Sequence, residues 1–380
     1  MSRYLFVVPP LTGHINPTVA VGGELRRRGH EVAWVGHPAT LRTLLPDDAR
    51  VHPALDDVLE QGIQQARHRW LELKGIAVLK FLWEEFLIPL GHAMIPGVRT
   101  AVGDFAPDVI IADQQALAGP VVAREAGIPW VTSASTPAEL VRPLRTMPKV
   151  EEWIRGQLRG LTGSDADIRF SDRLVLAFTS RELVGPEEFP DHYVFTGPAL
   201  EHRPERADFP WAWLTEGHQR VLVSLGTLNG AAGQRFFGEV IDAVADMDVQ
   251  VVMVAPPDAV QAPANVLVAE RVPQLALMSH VDAVVSHGGH NTVCEALAHG
   301  LPLVVTPIRD DQPIIAEQVV AAGAGVRLKY TRVRAGEIRA ALDSVLHTPG
   351  YAANARRVQE SFRAAGGASA AADHLEAVAA

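Results

Sequence analysis

The sequence predicts an α/β protein made of two facing parallel-sheet domains, one in each half of the chain. Three observations carry this prediction. Short apolar runs alternate with segments of helical period in both halves, as parallel strands joined by helices require. The alternation breaks from Pro198 to about Trp213, where Pro, Arg and Glu crowd together as in a linker, and then restarts. Glycines follow apolar runs at Gly226 and at Gly288-Gly289, and the second pair leads into a helix. A chain of 380 residues, 48% of them apolar, also exceeds one ordinary core. The expected division is 1–200, then 214–362, then a helical tail over 363–380 that packs back on the first domain.

The first half opens with the strand Tyr4–Val8, followed by a helix-period segment with Val19 and Leu25 inward and Arg26 to Arg28 outward. Glu31–Gly36 is the next strand. Residues 55–100 read as mainly helical and carry Trp70, Phe81, Trp83 and Phe86 among charged residues. Asp108–Asp113 is a strand, Leu117–Ala126 a helix, and the run beginning at Pro129 another strand. An amphipathic segment surrounds Trp153, Ile154, Leu158 and Leu161, and Arg173–Ser180 closes the half as a strand. In the second half the strand Arg220–Thr227, a helix over about Gln234–Ala245, two strands near Val251 and Val266, and a short helix at Leu275–His280 lead into the stretch Val281–Gln312. There a strand (Asp282–Ser286) passes through the glycine pair into a helix opening at Asn291-Thr292, then a strand (Pro302–Thr306) ends near Asp311-Gln312. Helices start near Ala335 and Tyr351, and the alanine-rich tail from Ala368 is a good helix former.

Charge and cysteine content narrow the function classes. A net charge of −10 argues against a nucleic-acid partner and against a polybasic membrane dock. A single cysteine removes any intrachain disulfide framework and fits a reducing compartment. The N-terminal apolar run is too brief for a signal segment, and no uncharged stretch reaches membrane-spanning length, so a cytoplasmic protein without stable membrane insertion is expected.

Chemistry is expected at the C-terminal ends of the strands. A strand running through Gly288-Gly289 into a helix N-terminus offers free backbone N–H groups and the positive end of the helix dipole, a place suited to phosphate. His14 sits in the first strand-to-helix turn, where the dipole disfavours its charged form and leaves it a neutral base. Asp113 ends a later strand of the same sheet and would orient the ring and stabilise the imidazolium. The same residues read equally as caps of a helix and a turn.

Gly13-His14 with Pro17, Ser224-Leu225-Gly226-Thr227, Val272-Pro273-Gln274, His287-Gly288-Gly289-His290-Asn291-Thr292, Glu295 and Asp311-Gln312 recur in one order. Together they resemble the GT-B nucleotide-sugar-dependent glycosyltransferases of family 1, in the branch holding plant secondary-metabolite and bacterial macrolide or polyketide enzymes. The resemblance spans both halves and is more specific in the second. It implies two facing Rossmann-like domains with an interdomain cleft, and an inverting transfer in which His14 deprotonates an acceptor hydroxyl and Asp113 holds His14. It further implies that His287, the N–H groups of Gly289, Asn291 and Thr292, and Thr227 cradle a diphosphate, with no metal and no cofactor beyond the nucleotide-sugar co-substrate. Glu295 would bind the ribose diol, with Gln274 beside it in the donor set. Backbone groups at Val272 would read the base edge, and Asp311 and Gln312 would bind sugar hydroxyls.

Arg271 stands where the family often has a base-stacking aromatic residue, and His290 where plant members usually have Trp. Asn291-Thr292 and Asp311-Gln312 resemble members using fully hydroxylated hexoses, which favours UDP-glucose. The alternatives are a dTDP-deoxysugar transferase of antibiotic biosynthesis, a catalytically silent nucleotide-sugar-binding activator, and a nucleotide-sugar epimerase. The acceptor is expected to be a hydrophobic, hydroxylated small molecule. Trp70, Trp83 and Phe86 are its candidate contacts, although their helical spacing suits an ordinary core as well. A monomer or homodimer fits. Gly226, Gly230 and Gly233 miss the dinucleotide spacing, no G-x-S-x-G occurs, and Cys294 reads as a packed small residue.

Overall fold

The computed structural model describes residues 1–56, 62, 70, 73, 75–141, 146–201, 203, 207–226, 233–256 and 260–380. The chain forms two compact units: Met1–Phe178 with Glu188–Pro204 and Ala365–Ala380, and Thr179–Glu187 with Glu205–Ala364. Thr179–Glu187 thus groups with the second unit although it precedes the segment Glu188–Pro204 of the first.

In the first unit, β1 (Arg3–Val7), β2 (Glu31–Gly36), β3 (Arg50–Pro53), β4 (Val109–Asp113), β5 (Trp130–Ala134), β6 (Val175–Ala177) and β7 (Tyr193–Phe195) form one sheet in the order β3-β2-β1-β4-β5-β6-β7. Every pairing in it is parallel. Helices α1 (Thr12–Arg27), α2 (Pro38–Leu44), α3 (Ile88–Phe105), α4 (Ala118–Ala126) and α5 (Pro148–Thr162) accompany it. A helical turn (Ile76–Phe81) and a π-helical stretch (Leu82–Leu87) run directly into α3.

The near-continuous apolar strands follow from burial on both faces, since successive side chains point opposite ways. Leu5 and Val7 enter one core with Val35, Ile110 and Ala112. Tyr4, Phe6 and Val8 enter the other with Trp34, Val109 and Ile111. On that second face α1 lies close to the sheet at Gly22, where an added Cβ would sit 2.3 Å from the Trp34 ring. Trp34 stacks on Phe6 at 5.5 Å and donates its indole N–H to Thr18 Oγ1 at 3.0 Å.

The second unit repeats the plan. After α6 (Arg181–Val184) come β8 (Gln219–Ser224), α7 (Gln234–Val244), β9 (Val249–Val254), β10 (Val266–Ala269), α8 (Gln274–Met278), β11 (Ala283–Ser286), α9 (His290–Ala298), β12 (Leu303–Val305), α10 (Gln312–Ala321), β13 (Gly325–Arg327), α11 (Ala335–His347) and α12 (Pro349–Ala365). The sheet order is β10-β9-β8-β11-β12-β13, again all parallel. Leu222, Val284 and Leu303 face one core, and Val221, Val223, Val285 and Val304 the other. The final helix α13 (Gly367–Ala379) belongs to the first unit, where Ala368, Ala371, Ala372 and Leu375 join the core that contains Val19 and Leu25 of α1. Arg28 clasps it by donating to Asp373 at 2.6 Å and Glu376 at 2.9 Å.

Among the described residues no helix is long and apolar enough to cross a membrane.

Candidate active site

Each sheet reverses its order of winding once, between β1 and β4 in the first unit and between β8 and β11 in the second. In open α/β sheets the crevice beyond the carboxyl ends of such a strand pair is where ligands bind. The motif residues gather at those two places.

In the first unit, His14 is the third residue of α1, whose N-cap Leu11 offers no side-chain hydrogen bond. Asp113 is the last residue of β4, next to β1. His14 Nδ1 lies 2.8 Å from Asp113 Oδ1. The carboxylate is 2% exposed; its Oδ1 also accepts from the Gln115 backbone N–H at 2.9 Å, and its Oδ2 has no hydrogen-bond partner. A buried carboxylate beside Nδ1 favours the tautomer with the proton on Nδ1 and the lone pair on Nε2, the form a general base needs. Reading the sequence did not find Ser135, one residue past β5, whose Oγ lies 2.7 Å from the same Nδ1. No motif marks it; only the neighbouring positions of β4 and β5 bring it to the ring.

In the second unit, β11 delivers His287 and the glycine pair, and α9 begins at His290 with Gly289 as its N-cap and no side-chain cap. The helix therefore starts one residue before Asn291, and its N-cap glycine offers no side-chain cap. The His287 ring lies between two glycines: a Cβ on Gly226 would come within 2.6 Å of it and one on Gly289 within 2.5 Å. Any other residue at either place would displace the ring, and Gly226 also takes a left-handed φ of 73°. Burial pushes the His287 imidazole down to about 4, against an upward pull from Asp311. It is thus neutral at pH 7. Its Nδ1 is buried without a hydrogen-bond partner, an orphan of the kind that a ligand atom satisfies.

Around this cradle, Glu295 is 3% exposed and its Oε2 accepts from Gln274 Nε2 at 2.5 Å, joining the first residue of α8 to α9. Asn291 and the buried Thr292 are in the first turn of α9. Val272 is half-buried in the turn before α8, and Arg271 is exposed. Asp311 is the N-cap residue of α10. Gln312 is buried, and its Oε1 accepts from the backbone N–H groups of Ile308 at 2.8 Å and Arg309 at 3.1 Å, so it braces the loop that carries Asp311. Its amide oxygen is therefore engaged by the loop, a duty that reading it as a sugar ligand had not foreseen. Thr227 lies outside the described residues.

Trp83 is 4% exposed and sits in the core shared by α3 and α5, and Phe86 packs against that core. Trp70 stacks on Phe81 with ring centroids 6.3 Å apart. Asp165 and Asp167, which invite comparison with metal-binding carboxylates, pair instead with Arg159 and Arg169. Among the described residues no group of three or more His, Cys, Asp or Glu side chains converges as a metal site.

A family model described as the erythromycin biosynthesis protein CIII-like C-terminal domain matches residues 238–378. The chain is 29% identical to 4'-demethylrebeccamycin synthase of Lentzea aerocolonigenes, over 96% of each protein. It is 28% identical to the NDP-glycosyltransferase YjiC of Bacillus subtilis (strain 168), covering 97% of this chain and 95% of that one. Among solved structures, the glycotransferase of kitacinnamycin superposes with a TM-score of 0.74 at 27% identity, covering 99% and 98% of the two chains. The chain is a glycosyltransferase, similar over nearly its whole length to nucleotide-sugar-dependent enzymes of the GT-B fold. In this glycosyltransferase the departures from the family pattern have a structural reading. His290 is buried with a ring nitrogen 3.5 Å from Cys294 Sγ, so its side chain packs within α9. Cys294 is itself buried and in no disulfide, and burial pushes its pKa well up, which keeps it protonated and inert.

Proposed function

We propose that this glycosyltransferase moves a hexose from a nucleotide sugar, with UDP-glucose the favoured donor, to a hydroxyl of a hydrophobic natural product. Transfer inverts the anomeric carbon and needs no metal ion or other cofactor. The observation that carries this reading is the 2.8 Å pairing of His14 Nδ1 with buried Asp113 at the N-terminus of α1. The names of the matched family and relatives support a natural-product acceptor.

In the reaction, Nε2 of His14 takes the acceptor's hydroxyl proton. The oxygen forms its bond to the anomeric carbon as the bond from that carbon to the diphosphate oxygen breaks, and the nucleoside diphosphate leaves with the electron pair. Asp113 stabilises the imidazolium that results and holds Nδ1 toward itself. Charge on the leaving diphosphate falls on the first-turn N–H groups of α9 at Gly289, Asn291 and Thr292, with the helix dipole behind them. Neutral His287 contributes a hydrogen bond rather than a charge. Glu295, held by Gln274, has acceptor atoms for a ribose diol, and Asp311 with the amide N–H group of Gln312 serves the sugar hydroxyls.

Two experiments test the reading. His14→Ala is expected to abolish transfer while leaving nucleoside diphosphate binding, measured by thermal unfolding, within a few-fold of wild type; surviving transfer removes His14 from the base role. Thermal unfolding with UDP, dTDP or GDP, chelator present, is expected to favour UDP, with a gain of about 2.7 kcal/mol at a hundred times the dissociation constant. A preference for dTDP replaces the UDP-glucose reading with deoxysugar transfer, and strict metal dependence of turnover overturns the metal-free mechanism.

A further inference from the structure

We propose that Ser135 is a positioning residue for His14: its hydroxyl oxygen shares the Nδ1 proton with Asp113 and holds the imidazole plane in the orientation that presents Nε2. The proposal rests on the reading of His14 as the base and adds a third member to the pair. Three neighbouring strand ends bring the groups together, His14 after β1, Asp113 at the end of β4 and Ser135 after β5.

The geometry is specific. Ser135 Oγ is 2.7 Å and Asp113 Oδ1 is 2.8 Å from one ring nitrogen. A ring nitrogen has a single in-plane direction, so one N–H donates to both oxygens as a three-centre bond. The alternative, with the Ser135 hydroxyl donating to a bare Nδ1, sets that lone pair against a buried carboxylate and moves the proton to Nε2, where it would block the base. The charge on Asp113 decides for the first arrangement, because a hydrogen bond to a carboxylate is about twice as strong as one between neutral groups. A second oxygen at Nδ1 beside Asp113 narrows the orientations open to the ring.

Ser135 is also held in place. It is 4% exposed, and its neighbours are tied to the turn after β4: Gln114 N–H donates to Ser133 O at 3.1 Å, and Thr136 N–H donates to Gln114 Oε1 at 3.4 Å. Ser133 pairs with Asp113 across the sheet, which puts Ser135 two residues further along the same side of β5. The hydroxyl therefore meets the ring without ordering a loop first.

When His14 takes a proton, Ser135 gives the imidazolium one more acceptor. Ser135→Ala is expected to lower kcat/KM about three- to ten-fold, leave donor KM unchanged, and move the acidic limb of the pH profile to lower pH by up to about one unit. Ser135→Cys keeps the volume with a weak acceptor and is expected to follow Ala, while Ser135→Thr, which keeps the hydroxyl, is expected to restore the wild-type limb. The readout independent of turnover is the 15N titration of the His14 ring, whose midpoint should fall in the Ala and Cys variants. Titrations and pH profiles of both variants that superimpose on wild type overturn the proposal. Should His14→Ala retain transfer, the base reading fails instead, and the ring titration still decides whether Ser135 holds the imidazole.

Discussion

His287 makes an exposed prediction because its burial is so nearly complete. The folded imidazole has its pKa pushed by burial from 6.5 to about 4, with Arg309 adding downward and Asp311 upward. Below pH 6.5 the unfolded chain takes up a proton at this position and the folded chain does not, so the stabilising contribution is full above 6.5 and is lost as pH falls toward 4. Between pH 7.5 and pH 5 the loss from this one group is roughly 2 kcal/mol. Other histidines and carboxylates titrate over the same range, so the measurement is a difference. Urea unfolding of wild type and His287→Asn at both pH values should show the wild type losing about 2 kcal/mol more than the variant between them. Asn carries no titratable group, so its own cost at pH 7.5 cancels. Parallel losses in the two proteins would mean that the native ring accepts a proton readily, and that the neutral His287 assigned to the donor cradle is wrong.

Four further outcomes follow from particular contacts. Gly289→Ala and Gly226→Ala would each drive a Cβ into the His287 ring, at 2.5 and 2.6 Å, and should weaken nucleoside diphosphate binding in calorimetry about ten-fold or more while leaving the unit folded. Gln312→Ala leaves two half-buried backbone N–H groups without their acceptor and should cost about 1–2 kcal/mol in chemical denaturation, whereas Gln312→Glu, which keeps an acceptor, should cost less. Asp113→Asn should lower kcat by about a hundredfold or more with little change in donor KM, since its amide can present the wrong group to Nδ1. Arg28→Ala removes the ion pairs to Asp373 and Glu376 and should speed amide exchange across Gly367–Ala379, with the rest of the first unit unaffected.

What was legible in the sequence is what burial on two faces writes into it. Strands such as Tyr4–Val8 and the apolar Ala283–Val285 show as unbroken apolar runs because each side chain meets one core or the other. The edge strands Arg50–Pro53, Tyr193–Phe195 and Gly325–Arg327 were not legible. Each has three or four residues, some polar or half-exposed, and owes its extended form to pairing with one neighbour. The helix Gln312–Ala321 was also missed, because Asp311-Gln312 reads as a polar stop and the segment that follows is apolar with little periodicity. Pro313 was the available signal, since proline is favoured in the first turn of a helix. The π-helical stretch Leu82–Leu87 left no trace in composition, and Trp83 and Phe86, whose helical spacing suits a core as well as a pocket, pack in and against the core.

The candidate site divides the same way. Residues whose chemistry depends on the local chain, such as the glycines after strands and a histidine in the first turn of a helix, could be read because a turn or a helix end dictates them. Ser135 could not be, since a serine after a strand has no local reason to matter. Its meaning comes from the sheet order β1-β4-β5, which seats it across from Asp113 and against His14. Gln312 is the converse case: its motif position was legible, but its use as a brace for the Ile308–Asp311 loop depends on how that loop turns back over α10. On this reading motif position names the candidate ligand contacts, while the topology determines which other residues hold them in place, and substitution of a positioning residue such as Ser135 should alter rate and pH dependence more than affinity.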